Sequence, residues 1–330
     1  MGRGALVPSA RMRVQADGEW RSRIRRCLYR PFDERWIYWA DWMIDWPRPE
    51  ISGHLFAGRN ISLCFSRREE LPVPYGHFLA SRLPGEHGLL SSKTTDYQAP
   101  LFLYPTSDGG RLEFQAQMTP NFSQSFLNAL FTRLGMPLSG EHLSADCNAE
   151  DILHYIYAIV HSPVYRGRYA EFLKIDFPRL PLPGGLELFR ELVGLGGELV
   201  ALHLMESPKL ARPITGYTGP KNPVVGRVGW LDDTVWLDAA TAKKGQAATS
   251  GTIGFRGVQE EVWDFHIGGY QVCEKWLKDR KGRTLSKDNI AHYQRIVVAI
   301  AETLRSMQEI DDVIEQHGGW PDAFADTRPR

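Results

Sequence analysis

Residues Asn148 to Pro183, NAEDILHYIYAIVHSPVYRGRYAEFLKIDFPRLPLP, decide how this chain is read. Asn148 is a helix N-cap, with Asp151 at the third helical position facing the unsatisfied amides. Ile152, Tyr155, Ile156, Ile159 and Val160 recur at i, i+3, i+4, i+7 and i+8, the single apolar stripe of an amphipathic helix. Ser162-Pro163 ends that helix and starts a second, because proline is tolerated at a first helical position. Tyr165, Tyr169, Phe172 and Leu173 form the buried face of the second helix. Arg166 and Arg168 are therefore expected to point away from that face, with Lys174 near the helix end. Pro178, Pro181 and Pro183 then stiffen an extended strap around Arg179. Taken alone, the stretch is a helical hairpin with a basic, solvated side.

Upstream of it the periodicity is that of strands and loops. Trp36 to Trp39, Ile61 to Phe65, Gly76 to Leu83 and Leu101 to Tyr104 are the expected strands, separated by Pro and Gly clusters. In YRPFDERWIYW, Tyr29 to Trp39, Pro31 forbids a helix. Alternation there puts Arg35, Ile37 and Trp39 opposite Trp36 and Tyr38. Asp33 is placed to pair with Arg35 or with Arg30. Ser123 to Leu134 reads as a helix. Downstream, Leu186 to Leu204 is helical, and Gly194, Gly196 and Gly197 make it either two helices or one that is packed very closely. Val224 to Trp236 and Gly251 to Phe255 read as strands around a Lys243 to Gln246 loop. Gln271 to Lys278 is a short helix, and Ser286 caps a long final helix with Ile290, Tyr293, Ile296, Val297, Ile300, Leu304, Met307 and Ile310 inward. The change of period near Ser123 predicts an α+β fold, a β-rich N-terminal half packed on a mainly helical C-terminal half around a shared core.

The chain has 330 residues, 43% hydrophobic and 24% charged, as in ordinary globular proteins. No apolar run approaches the roughly 20 residues of a membrane span, so no membrane association is expected. The Arg-rich start has no apolar core of a secretory signal. Cys27, Cys64, Cys147 and Cys273 are widely separated, without CxxC or zinc spacing, and read as free thiols of a reducing cytoplasm. Net charge is zero, yet nine arginines stand against four acids between Arg3 and Arg35, and seven basic residues against two acids between Lys275 and Arg295. Such segregation permits a basic face on a neutral protein. Residues 1–23 are expected to be poorly ordered, 24–316 to form the domain and 317–330 a tail.

Three motifs, the Asn148 stretch, YRPFDERWIYW and HIGGYQVCEKWLKDRKGRTLS from His266 to Ser286, stand in one order. Together they make the region from Tyr29 to Asp312 resemble the C-terminal specificity domain of Type ISP restriction-modification enzymes. The resemblance implies a domain that reads double-stranded DNA for an adenine methyltransferase. In that family, nuclease, helicase and methyltransferase domains precede it, so S-adenosylmethionine, ATP and Mg²⁺ belong to those domains and no cofactor is expected in this chain. The sequence agrees with that absence. The nearest approach to an NPPY-type tetrapeptide is Asn222-Pro223-Val224-Val225, lacking the second proline and the ring that hold a flipped base. Gly194-Leu195-Gly196-Gly197 lies inside a helical pattern, no GxxxxGK[ST] loop occurs, and Pro321-Asp322 has no ExK after it.

Specificity needs phosphate contacts that position the protein and base-edge contacts that select. Arginine forks match guanine edges, and asparagine matches adenine. The candidates are Arg30, Arg35, Asn60, Arg67, Arg68, Arg166, Arg168, Lys174, Arg179, Lys278, Arg280 and Arg283. The expected function is a non-catalytic DNA recognition module, a truncated or separated specificity subunit. Two alternatives stay open: a subunit of an adenine-N6 methyltransferase completed in trans by a methyltransferase or nuclease-helicase polypeptide, and a decayed remnant that binds nothing specific.

Overall fold

The computed structural model describes residues 6–56, 59–68, 75–105, 118–137, 143, 147–240 and 249–326. The expected Lys243 to Gln246 loop lies outside them. Capping chemistry sets the helix starts. Asn148 and Asp151 form a reciprocal capping box at the head of the Ala149–His161 helix, and Ser286 with Asn289 does the same for Lys287–Gln316. The hydroxyls of Ser123 and Ser162 cap Gln124–Leu134 and Pro163–Arg168. The glycine-interrupted segment is one continuous helix, Leu186–His203. A Cβ at Gly196 would stand 1.8 Å from the His154 carbonyl oxygen, so that glycine is what lets two helix backbones touch.

Every ladder between named strands is antiparallel. Ile24–Arg30 and Asp33–Tyr38 form a hairpin. In a three-stranded sheet Ser62–Ser66 lies between Phe78–Ser81 and Asp96–Pro100. A four-stranded sheet runs Gly216–Thr218, Gly254–Arg256, Thr234–Trp236, Gly229–Leu231. The fold is α+β as the periodicity predicts, although the C-terminal half carries that four-stranded sheet among its helices.

Two apolar cores replace the single shared one expected, and the three-stranded sheet divides them. Successive side chains of a strand alternate faces. Cys64 and Leu79 accordingly enter one core with Phe255, Trp276 and Ile290 to Ile300, while Phe78 and Ala80 enter the other with Tyr155, Tyr157, Leu192 and Ile310. The 30-residue Lys287–Gln316 helix contributes to both cores and ties them together.

The termini are more regular than composition suggests. Leu6–Ala16 and Trp20–Arg23 are helical rather than irregular, and polar contacts hold the turn between them. The Asp17 carboxylate accepts hydrogen bonds from the Glu19 amide, Arg23 Nε and the Tyr38 hydroxyl. The described part of the expected tail, up to residue 326, folds back as well. Ala323 is buried, its carbonyl accepts from the Gly184 amide at 3.0 Å, and Trp320 stacks against Tyr165 and Phe324.

Candidate nucleic-acid interface

The arginines of YRPFDERWIYW and HIGGYQVCEKWLKDRKGRTLS meet across Asp33. Asp33 is 2% exposed. Arg280 Nη2 donates to its Oδ1 at 2.7 Å, and Arg35 Nη2 donates to its Oδ2 at 2.8 Å. Each guanidinium also lies on a ring, Arg280 at 3.5 Å from the centroid of Trp276 and Arg35 at 3.6 Å from that of Tyr29. Burial by itself raises the Asp33 carboxyl, but the hydrogen bonds from Arg280 and Arg35 prevail and hold it below the usual carboxylate value. Arg30 stacks on Tyr29 and Tyr270 and pairs with Glu86. Arg35 and Arg280, candidates for DNA contact from the sequence, thus staple the N-terminal hairpin to the end of the Val272–Lys278 helix, and the buried Asp33 carboxylate already occupies their forks. Arg30, a third candidate, is held by the exposed Glu86 instead. Around this joint Lys278 is exposed and salt-bridged to Glu274, and the exposed Arg283 side chain has no ion pair among the described residues.

Two other candidates turn inward. Asn60 is fully buried: its Nδ2 donates to the carbonyls of His54 and Phe102, and its Oδ1 accepts from the amides of Ile61 and Phe102. All its hydrogen-bonding capacity brackets one loop against one strand, leaving nothing for an adenine edge. Arg166 does not point away from the helix hairpin. Its Nε donates to the Val160 carbonyl at 2.6 Å and its Nη1 lies under Gly76. Desolvation pushes its pKa down to about 10. The second helix breaks at Tyr169 into Pro163–Arg168 and Ala170–Leu173, and Phe172, expected in the core, is exposed.

The remaining candidates gather at the surface. Arg67 reaches Asp176 at 3.3 Å and lies over the Phe177 ring. Phe177 packs edge-on against Phe65 and Tyr97. The charges of Arg67 and Arg179 both act on Asp176, whose backbone amide partner and these cations keep its carboxyl below the usual range. Lys174 is within 3.8 Å of Glu171. Arg67, Arg68, Arg168 and Arg179 are exposed and Lys174 partly so, and Glu171 and Asp176 are the acids that pair with Lys174 and Arg67. Arg67 and the Asp176 to Arg179 segment, about a hundred residues apart in sequence, thus share one accessible basic and aromatic surface. Ion pairs this exposed add little to stability, so the cations stay available to a phosphate.

Sequence reasoning missed the groups behind this surface. Tyr157 lies off the predicted stripe, yet its hydroxyl accepts from the Ala80 amide at 3.0 Å and contacts His203 Nδ1, while His203 Nε2 meets Thr303. Burial, then the Arg166 charge, pushes His203 down to about 3, so it is neutral at physiological pH. A cavity of about 680 Å³ opens between the N-terminal hairpin and the three-stranded sheet, lined in part by Trp39, Trp46, Asp96 and Tyr97. Burial pushes Asp96 up to about 6 against hydrogen bonds from Ser66 and the Leu90 amide.

Comparison with known proteins agrees with the architecture. The model of the Type ISP C-terminal specificity domain matches residues 7–309. Among solved structures, the ATP-dependent Type ISP restriction-modification enzyme LlaBIII bound to DNA is similar over 92% of this chain, with TM-score 0.62 and 18% identity. A nuclease-deletion mutant of the Type ISP enzyme LlaGI, in complex with a DNA substrate mimic, is similar over 88% (TM-score 0.58, 18% identity), and a DrdV–DNA complex over 94% (TM-score 0.64, 23% identity). The similar regions span 20%, 25% and 30% of those chains. No curated protein matches by sequence. With a match over residues 7–309, the chain belongs to the family of Type ISP C-terminal specificity domains.

Proposed function

We propose that this chain is the target-recognition module of a Type ISP-like restriction-modification system, binding duplex DNA and carrying out no chemistry by itself. The observation that carries the reading is the surface that Arg67 shares with Asp176, Phe177 and Arg179, with the exposed Arg68 and Arg168 and the partly exposed Lys174 close to it in sequence, on a specificity-domain fold. Its solved structural relatives are described in complex with DNA or a DNA mimic, which supports the same ligand. Arg168, Lys174 and Arg179, with Lys278 and Arg283 on the third motif, are assigned to phosphates. Arg67 and Arg68, at the end of the Ser62–Ser66 strand, are assigned to base edges, where a guanidinium fork fits guanine O6 and N7.

Methyl transfer, cleavage and translocation belong in this reading to catalytic parts on a longer polypeptide or a partner chain, together with S-adenosylmethionine, ATP and Mg²⁺. The recognition unit is residues 24–316, working in a reducing cytoplasm that keeps its four buried cysteines as thiols.

Titration of a fluorescent duplex at several salt concentrations tests the proposal. About five neutralised phosphates give a log–log slope between roughly −4 and −5, and Arg168→Ala or Lys174→Ala each flatten it by roughly one. Affinity that ignores salt, or no affinity for duplex, overturns it.

A further inference from the structure

Phe172, Ile175 and Phe177 are 69%, 66% and 41% exposed. Single exposed apolar residues are ordinary. Three within six residues, on a segment whose backbone is held in place, are a shaped feature. The amides of Ile175 and Asp176 both donate to the Phe172 carbonyl at 3.1 Å, closing a tight turn. The Tyr165 hydroxyl donates to the Arg179 carbonyl at 2.9 Å and the Tyr155 hydroxyl to the Pro181 carbonyl at 2.8 Å, so the strap behind the turn is anchored on two core tyrosines. Phe177 is locked edge-on against Phe65 and Tyr97, with the Arg67 guanidinium over its ring. Phe177 is therefore a pedestal. Phe172 and Ile175, three residues apart, form the apolar tip of the turn, with Lys174 between them and Arg168 and Arg179 on either side in sequence.

We propose that the Phe172–Ile175 tip is a wedge that enters the base stack of the bound duplex and opens one step, while Lys174 and the flanking arginines hold the phosphates beside it. Charge decides the occupant. An apolar tip on a segment that carries Arg168, Lys174 and Arg179 against Glu171 and Asp176 matches a polyanion with flat apolar faces inside it, and Phe and Ile are side chains that unstack base steps when inserted. The inference rests on the duplex-binding reading above, and it adds how the duplex is deformed.

The test is 2-aminopurine placed in turn along the duplex that the chain binds best. The wild-type chain is expected to raise fluorescence several-fold at one step. The Phe172→Ala, Ile175→Ala double variant loses that rise and about tenfold in affinity, with the salt slope unchanged. Both side chains project into solvent, so its thermal unfolding matches the wild type. Lys174→Ala keeps the rise and flattens the slope. Duplex binding without a fluorescence rise, or a double variant that retains the rise, overturns the wedge and leaves DNA binding standing. A chain that binds no duplex overturns both.

Discussion

Replacing Asp33 by Asn tests whether the motif arginines hold the fold or hold DNA. The Asp33 side chain is 1% exposed and receives Arg280 at 2.7 and 3.3 Å and Arg35 at 2.8 Å. Removing one partner of a buried ion pair costs about 3–5 kcal/mol, since the other charges are left without compensation. Asparagine keeps the shape and one acceptor oxygen, so the lower end of that range, about 3 kcal/mol, is expected. At about 2.1 cal/mol/K of unfolding entropy per residue, the whole chain lowers its melting temperature by about 4 °C. The acid limb carries the sign. The folded carboxyl titrates below its unfolded value, so its contribution is complete above about pH 4 and is lost as pH falls through the lower folded value. Denaturant unfolding at pH 7 and pH 3 is the assay: the variant loses stability at pH 7 and comes closer to the wild type at pH 3. Because Arg35 and Arg280 are released rather than removed, duplex affinity does not fall in proportion to stability. A variant as stable as the wild type at pH 7 would refute the staple.

Asp96 behaves with the opposite sign. Its folded value near 6 means that its contribution is complete below about pH 4 and is lost as pH rises from about 4 to about 6, so Asp96→Asn flattens unfolding free energy across that window. Gly196→Ala drives a methyl into the His154 carbonyl and costs at least the ~1–3 kcal/mol of overpacking, seen as a lower denaturation midpoint; an unchanged midpoint contradicts the helix contact. Asn60→Ala strands buried backbone groups at about 1–3 kcal/mol each and leaves the selected DNA sequence unchanged; altered base preference in a normally stable variant would restore it as a base reader.

Local chemistry was legible in the sequence wherever it is settled within one or two turns of chain. The caps at Asn148 and Ser286, the helix start at Ser162-Pro163 and the core face of the final helix follow from side-chain type and spacing. Asp96–Pro100 was not legible, because its polar residues become a strand only by pairing with Ser62–Ser66. Nor was the fate of the arginines. Arg280 and Asp33 are 247 residues apart in sequence, and Arg67 and Asp176 are 109 apart. Nothing within a motif separates an arginine that meets a carboxylate across the fold from one that faces solvent. Tyr157 escaped for a related reason, since the Ala149–His161 helix is packed by the sheet on one side and by Leu186–His203 on the other, which buries residues off its stripe.

In the proposed function, this domain selects a DNA sequence through its exposed surface around Arg67 to Arg179. Selection of bound duplexes from a randomised pool by the purified chain addresses it most directly. The account predicts one enriched motif whose single mismatches each cost about 1–3 kcal/mol, and loss of preference at one position when Arg67 or Arg68 is replaced. A pool that stays unenriched, with every duplex bound alike, would contradict it.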